Sequence, residues 1–393
     1  MDILISLLFL LIYIIFCRDT GSYINSLTPY FILTFSTKFF LDIIYNYIYD
    51  INREYFITFI IYSSYVCELF FLVIGYNLAK NNTVSIKLFN IHLNKEFYLW
   101  IILGISYFIY SPVIIEYYDY IVDPREIYIR TRTGYGLYYF LSIATANLSF
   151  ICFLFTKEKN KIKSIIYLIL YTFNLYLHGS KGVLITPIFI YILYLVCLKS
   201  IKFNLINSFK FLIIIFSSAI ILFSITLPET MRDNLLIGIL NYSDYNRNME
   251  KLIVDPIPPT YGKLTIENNI LSLIPRIIYP EKPKNFGSFY LSEIYYPEWF
   301  YMDSGSPAFG NGTYFSDFGY YFFLYLAIVS FIFGYLLRLF FNSTKKFKTI
   351  FYFIIYLALA GSPIIDTAVG SPLIPNLLVT LLLAILVFFV KLR

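Results

Sequence analysis

The stretch FLIIIFSSAIILFSITL, residues 211–227, decides the fold class of this chain. It contains no charged side chain, and its apolar residues do not alternate with polar ones. A strand of a transmembrane barrel alternates in polarity over about ten residues, whereas an apolar run of about 20 residues crosses a bilayer as a helix. The stretch therefore predicts a transmembrane helix.

Similar apolar runs recur along the whole chain of 393 residues, which is 59% hydrophobic and only 14% charged. Since a soluble domain carries roughly a quarter charged residues, this composition excludes a soluble globular protein. We expect an all-α, polytopic transmembrane protein with about 11 helices, within a range of about 10–12. The predicted helices lie near residues 3–17, 25–45, 56–78, 97–115, 137–155, 164–178, 182–198, 211–227, 319–340, 349–365 and 374–390.

Lysine and arginine predict the orientation, because basic residues collect in cytoplasmic loops. They are concentrated in the loops near 80–95, 157–163, 199–210 and 338–348. This places the N-terminus outside and the C-terminus inside. The predicted organisation is helices one to eight in residues 1–227, one large extracytoplasmic loop at 228–318, and helices nine to eleven in 319–393. We expect function in the large loop, since long loops are uncommon unless they are functional or folded.

The loops predicted to lie outside are rich in arginine, whereas the inner loops carry mostly lysine. Arginine offers a planar fork of donors that matches phosphate oxygens, so the outer surface is expected to bind an anion. Pairing with acidic residues of the same loops is the alternative. In IYIRTRTGYG, Arg130 and Arg132 are predicted on one side of an extended strand, as a phosphate-sized clamp. Lys181 lies in the tight turn HGSKG.

Two further stretches carry the most specific pattern: SLIPRIIYPEKPKNFG, residues 272–287, and SPAFGNGTYFSDFGYYFFLYLAIVSFIFGYLLR, residues 306–338. With them the chain resembles the O-antigen polymerases, the oligosaccharide repeat-unit polymerases of the Wzy type. The resemblance rests on Pro275-Arg276, Pro280, Lys282-Pro283, Asp317-Phe318-Gly319, Gly334 and Ser180-Lys181-Gly182. Two departures are clear. Residues 312–315, GTYF, lack the family's glutamate, and Lys181 replaces an arginine.

The resemblance implies a glycosyltransferase at the outer face of a bacterial cytoplasmic membrane. Such polymerases join a glycan on undecaprenyl diphosphate to the next lipid-linked repeat unit of an O-antigen or capsular polysaccharide. A single displacement would invert the anomeric centre. We expect no cofactor and no metal, since neither a DxD nor an HExxH pattern occurs. Expected partners are undecaprenyl-diphosphate-linked oligosaccharides, the lipid bilayer, a chain-length regulator and a flippase. Nucleic acid is not expected, since the lysines form no stripe.

The roles that follow from the resemblance are leaving-group stabilisation and general-base catalysis. Arg276, Arg130 and Arg132 would hold the diphosphate, with Arg232, Lys181 and Lys282 as secondary candidates. Asp317 is the preferred base, followed by Asp303 and Glu293; the alternative for Asp317 is a helix N-cap. Four aromatic residues are expected either to stack on sugars or to anchor the loop at the membrane interface: Tyr295, Tyr296, Trp299 and Tyr301.

Two other functions remain open at the level of sequence. An O-antigen ligase would use the same donor, but a histidine would be expected in its large outer loop, and residues 228–318 contain none. A non-enzymatic transporter (flippase) of lipid-linked oligosaccharides would bind the same anions. It would be expected to show internal repeats, and no convincing repeat is found.

Overall fold

The computed structural model describes residues 1–85, 96–131, 135–156, 160–211, 213, 217, 235–271, 274, 276, 278–301 and 307–361. All elements assigned within these ranges are helical, which confirms the all-α class. The predicted helix at 374–390 and most of the one at 211–227 lie outside the described residues. The total helix count and the orientation stay predictions.

Five stretches of the described chain are long and apolar enough to cross a membrane: Asp2–Thr20, Tyr55–Leu78, Leu99–Glu116, Gly136–Phe155 and Gly312–Phe347. Two shorter apolar helices are Gly182–Cys197 and Ile350–Ala360. Four of the five long stretches follow the predicted bounds closely, because about 20 apolar residues are needed to cross the hydrocarbon core. The fifth, Gly312–Phe347, begins inside the predicted outer loop and ends beyond the predicted helix at 319–340. Helix Lys161–Leu177, which lies at the predicted helix 164–178, precedes the first of the short ones, and the Asn160 side chain caps its N-terminus.

The described chain forms two units. The first contains residues 1–82 and 234–339, and in it helix Asp2–Thr20 packs on helix Tyr55–Leu78. The second contains the described parts of residues 83–233 together with 340–361. Its helices are Glu96–Glu116, Pro124–Arg130, Gly136–Phe155, Lys161–Leu177, Lys181–Cys197 and Ile350–Gly361.

The predicted helix at 25–45 is irregular. It consists of the α-helix Thr28–Thr34, the π-helical segment Phe35–Phe40 and the α-helix Leu41–Ile48. The two charged residues that interrupted its apolar pattern, Lys38 and Asp42, are both buried. In a π-helix the turns are wider than in an α-helix, so side chains after the segment are rotated relative to a regular helix.

A buried ion pair compensates Asp42. Arg53 Nη1 lies 2.9 Å from Asp42 Oδ2, and Arg53 Nε lies 2.8 Å from Glu250. Tyr62 and Asn246 also donate to Asp42 Oδ2, both at 2.9 Å. These contacts satisfy a carboxylate that is fully removed from solvent, and they fasten helix Asp244–Val254 to helix Leu41–Ile48 of the same unit.

Two membrane helices of the first unit touch through glycine. A Cβ added at Gly75, in helix Tyr55–Leu78, would lie 2.0 Å from the Phe331 carbonyl oxygen. One added at Gly334 would lie 2.1 Å from the Leu72 carbonyl oxygen. The two backbones are therefore in direct contact, as is common where small residues line a helix interface in membranes.

Short helices fill the described part of the segment predicted as the large outer loop. Their bounds are Leu235–Leu240, Asp244–Val254, Lys263–Leu271, Ser288–Tyr295, Pro297–Tyr301 and Gly312–Phe318. The side of the membrane on which they lie stays a prediction. They carry or flank most of the candidate functional residues of the first unit.

Candidate functional site

A basic loop of the first unit, residues 274–287, carries the arginine of the family-like motif. Arg276 is exposed, and its guanidinium donates to the carbonyl oxygens of Lys282 and, at 3.2 Å, Pro283. Lys282 Nζ donates to the Ile274 carbonyl oxygen at 3.2 Å and lies 4.4 Å from the centre of the Phe286 ring. Carbonyl oxygens of the loop thus accept hydrogen bonds from both of these cations.

The basic loop carries a net positive charge, with Arg276, Lys282 and Lys284 against one carboxylate, Glu281. Neither Arg276 nor Lys282 forms an ion pair with a carboxylate among the described residues, whereas Arg53 and Arg130 do. Burial and the neighbouring Arg276 together lower the pKa of Lys282. Two adjacent cations that disfavour each other would both be stabilised by an anion, so the loop has the electrostatics of an anion site.

Glu293 lies beside the basic loop. It accepts hydrogen bonds from the loop residue Asn285 at 2.9 Å and from the Tyr301 hydroxyl at 2.9 Å. The bond to Glu293 raises the pKa of Tyr301. Because a carboxylate offers about four acceptor positions, about two remain on Glu293 for a substrate hydroxyl. A hydrogen bond from Asn285 therefore ties Glu293 to the loop that carries Arg276 and Lys282.

Asp317 has a different environment from Glu293. It is completely buried and accepts four hydrogen bonds, two on each oxygen. Oδ1 accepts from the Thr260 hydroxyl and the Leu264 N–H, and Oδ2 accepts from the N–H and the hydroxyl of Thr265. Asp317 thus caps the N-terminus of helix Lys263–Leu271, which is distant in sequence, and no acceptor position remains for substrate.

The four candidate aromatic residues divide into two pairs. The Tyr295 hydroxyl donates to the Asp255 carbonyl oxygen, and the Tyr296 hydroxyl donates to Asn248 Oδ1. Both tyrosines therefore fasten the end of helix Ser288–Tyr295 to helix Asp244–Val254 and the residue that follows it. Trp299 and Tyr301 are exposed instead.

In the second unit, the prediction of an extended strand through Arg130 is wrong. Arg130 ends helix Pro124–Arg130, where Pro124 favours the first helical turn and Glu126 pairs with Arg130 across one turn at 2.8 Å. The Arg130 guanidinium also lies 4.5 Å from the centre of the Tyr120 ring. Since the pair with Glu126 is largely exposed, it is weak enough for a phosphate to replace it.

The HGSKG turn packs against the start of that same helix. Gly179 has φ +60°, and a Cβ there would lie 1.8 Å from the Pro124 carbonyl oxygen. Lys181 begins helix Lys181–Cys197 directly after this turn. Next to it, His178 is buried, with Nδ1 2.7 Å from the Asn174 carbonyl oxygen. The second unit therefore brings the helix of Arg130 and the turn of Lys181 together.

Arg132, Arg232 and Asp303 lie outside the described residues. Within the described ranges, no three His, Cys, Asp or Glu side chains group closely enough to hold a metal ion. Sequence reasoning missed Asn285, which links Glu293 to the basic loop, and the threonines around Asp317. An asparagine three residues after Lys282 in a proline-rich loop was the available signal for the first of these.

Comparison with known proteins gives two similar relatives. The chain is 32% identical to an O-antigen polymerase of Salmonella typhimurium over 373 residues, which cover 94% of this chain and 90% of the relative. An O-antigen polymerase of Salmonella typhi matches with the same identity and coverage. No protein-family model matches the chain, and no solved structure matches it.

Proposed function

Since the chain belongs to the O-antigen polymerase family, we propose that it joins lipid-linked oligosaccharide repeat units into a polysaccharide. The observation that carries this proposal is the 32% identity over 94% of the chain. The proposed substrates are undecaprenyl-diphosphate-linked oligosaccharides at the outer face of the cytoplasmic membrane. A chain-length regulator and a flippase are proposed partners.

The proposed reaction is an inverting, metal-independent displacement. A hydroxyl at the nonreducing end of one repeat unit attacks the anomeric carbon of the glycan on the other lipid. A glycosidic bond forms, the bond from the anomeric carbon to the diphosphate oxygen breaks, and the hydroxyl proton passes to a base. The lipid diphosphate leaves as an anion, so the transition state needs positive charge near the departing oxygen.

Arg276 and Lys282 supply that charge in this proposal. Neither cation forms an ion pair with a carboxylate of the described chain. Both lie on the basic loop, and Arg276 is exposed. Arginine provides parallel N–H donors for a diphosphate, and a bound anion relieves the repulsion that lowers the pKa of Lys282. Arg130, Arg132 and Lys181 of the second unit are proposed to bind the diphosphate of a lipid-linked substrate as well.

Glu293 is the proposed general base. Its hydrogen bonds from Asn285 and Tyr301 orient the carboxylate while leaving acceptor positions open. Asn285 also ties it to the loop that would hold the leaving group. A positioned carboxylate in this arrangement would take the proton of the acceptor hydroxyl as the new bond forms. Asp303 remains an alternative base from the sequence.

Replacing Glu293 by glutamine is expected to lower the polymerisation rate by about 10²–10⁴-fold, since the amide has nearly the same shape but accepts no proton. The measurement is the rate of chain extension in membranes that contain equal amounts of each variant. Glu281→Gln is the matched control, because Glu281 is an exposed carboxylate of the basic loop. A Glu293→Gln rate equal to wild type would remove Glu293 from the mechanism.

The proposed function itself is tested by glycan profiling of a deletion strain. If the chain is the polymerase, the deletion strain carries surface glycan that ends after a single repeat unit, and the wild-type gene restores long chains. Accumulation of long lipid-linked chains without attachment would identify a ligase instead. Unchanged surface chains in the deletion strain would contradict both functions.

A further inference from the structure

We propose that Asp317 is a positioning residue, which holds the basic loop and Glu293 in place through helix Lys263–Leu271. The proposal rests on the proposed function, because it concerns the loop that would bind the lipid diphosphate. Asp317, the first residue of the family-like motif Asp317-Phe318-Gly319, would then act at a distance from the reacting atoms.

The first step is the attachment of the helix to Asp317. The buried carboxylate accepts hydrogen bonds from the hydroxyls of Thr260 and Thr265 and from the backbone N–H groups of Leu264 and Thr265. The backbone adds to this attachment: Thr260 N donates to Ser316 O at 3.2 Å, and Tyr261 N donates to Asp317 O at 2.8 Å. A negative charge at a helix N-terminus also interacts favourably with the helix dipole.

The second step leads from the helix to the basic loop. Glu267 accepts the Gly287 N–H at 2.8 Å, and Asn268 Oδ1 accepts the Ser288 N–H at 3.0 Å. Gly287 is the last residue of the loop, and it has φ +57°, with the Asn268 side chain in direct contact. Two side chains of one helix thus fix the point where the loop ends.

The third step is the connection to Glu293. Ser288, which Asn268 holds, is the first residue of helix Ser288–Tyr295, and Glu293 lies on that helix. The chain of contacts therefore runs from Asp317, through one short helix, to both the loop that carries Arg276 and the helix that carries Glu293. Loss of the Asp317 carboxylate would release the helix N-terminus and shift both groups together.

The alternative, in which Asp317 is the base, requires an open acceptor position on the carboxylate. Donors of the protein occupy all four of its acceptor positions. A substrate hydroxyl would have to displace a threonine hydroxyl or a backbone N–H that already donates to this buried carboxylate. The observed hydrogen bonds favour the positioning role.

The test compares three variants of the full-length protein in membranes: Asp317→Asn, Thr260→Val with Thr265→Val, and the combination of all three. The valines remove only the two hydroxyl donors and keep the side-chain shape. For each variant, kcat, KM for the lipid-diphosphate donor and the pH profile of kcat are measured at equal protein levels.

If Asp317 is a positioning residue, Asp317→Asn and the valine pair each raise KM by roughly tenfold or more, the scale of a lost hydrogen bond to a charged group. The pH profile of kcat keeps its wild-type shape. In the triple variant, KM rises by less than the product of the increases in the two separate variants. The valine pair carries the test alone if Asp317→Asn does not accumulate in membranes.

The proposal is overturned if the valine pair behaves as wild type, or if Asp317→Asn removes kcat together with its dependence on pH. An inactive wild-type protein in the same assay would instead contradict the proposed function.

Discussion

Replacing Arg276 with alanine is expected to lower the polymerisation rate by about 10²–10³-fold, the usual cost of removing one preorganised donor to a developing anion. The guanidinium lies on the accessible side of the basic loop and is not neutralised by a carboxylate within the described chain. Cells that depend on the variant are expected to carry surface glycan of one or very few repeat units. Gel profiles of the extracted glycan measure this directly.

Lys284→Ala is the matched control, since Lys284 is an exposed cation of the same loop. It should retain long chains. Arg276→Lys keeps the charge but loses the two hydrogen bonds that the guanidinium donates to the carbonyl oxygens of Lys282 and Pro283. An intermediate chain length is therefore expected. If Arg276→Ala and Lys284→Ala behave alike, Arg276 has no special part in diphosphate binding.

The second large effect concerns stability. Gly334→Leu is expected to abolish the folded protein, because the new side chain would start 2.1 Å from the backbone of the neighbouring helix at Leu72. Overpacking against movable side chains costs about 1–3 kcal/mol, and a rigid helix backbone cannot move aside in the same way. The measurement is the amount of monodisperse protein recovered in detergent, with its thermal unfolding midpoint.

Gly104→Leu provides the control for added apolar bulk in a membrane helix. A Cβ at Gly104 meets no atom within 4 Å, so leucine there should be tolerated. Equal loss of both variants would show that any large residue at these glycines disturbs membrane insertion. Normal recovery of Gly334→Leu would contradict the close contact between the two helices.

The helices that cross the apolar core are predictable from hydropathy because the bilayer sets their length. Helix Tyr55–Leu78 was expected at 56–78, and Gly136–Phe155 at 137–155. The π-helical segment Phe35–Phe40 is not visible in that pattern. It is stabilised by tertiary contacts, such as the bond from Asn246 to the Lys38 carbonyl oxygen, which local sequence does not encode.

The candidate site was predictable in its residue types but not in its roles. Arg276, Lys282 and Glu293 were identified from the sequence, and the structure places them around one loop. The partners of Asp317 lie more than 50 residues earlier in the chain, so its role as a cap for helix Lys263–Leu271 had no local signal. The alternation of Arg130 and Arg132 predicts an extended strand, but Pro124 favours the start of a helix and the pair of Glu126 with Arg130 spans one helical turn.

The contact between Gly75 and Gly334 also restricts how a substrate with a long hydrocarbon tail enters from the membrane. Where two helix backbones touch, no space remains for a polyprenyl chain between them. The lipid tail of the proposed substrate therefore cannot pass between these two helices, and its proposed path to the basic loop must follow another face of the first unit. A crosslink introduced across the seam would leave that path open.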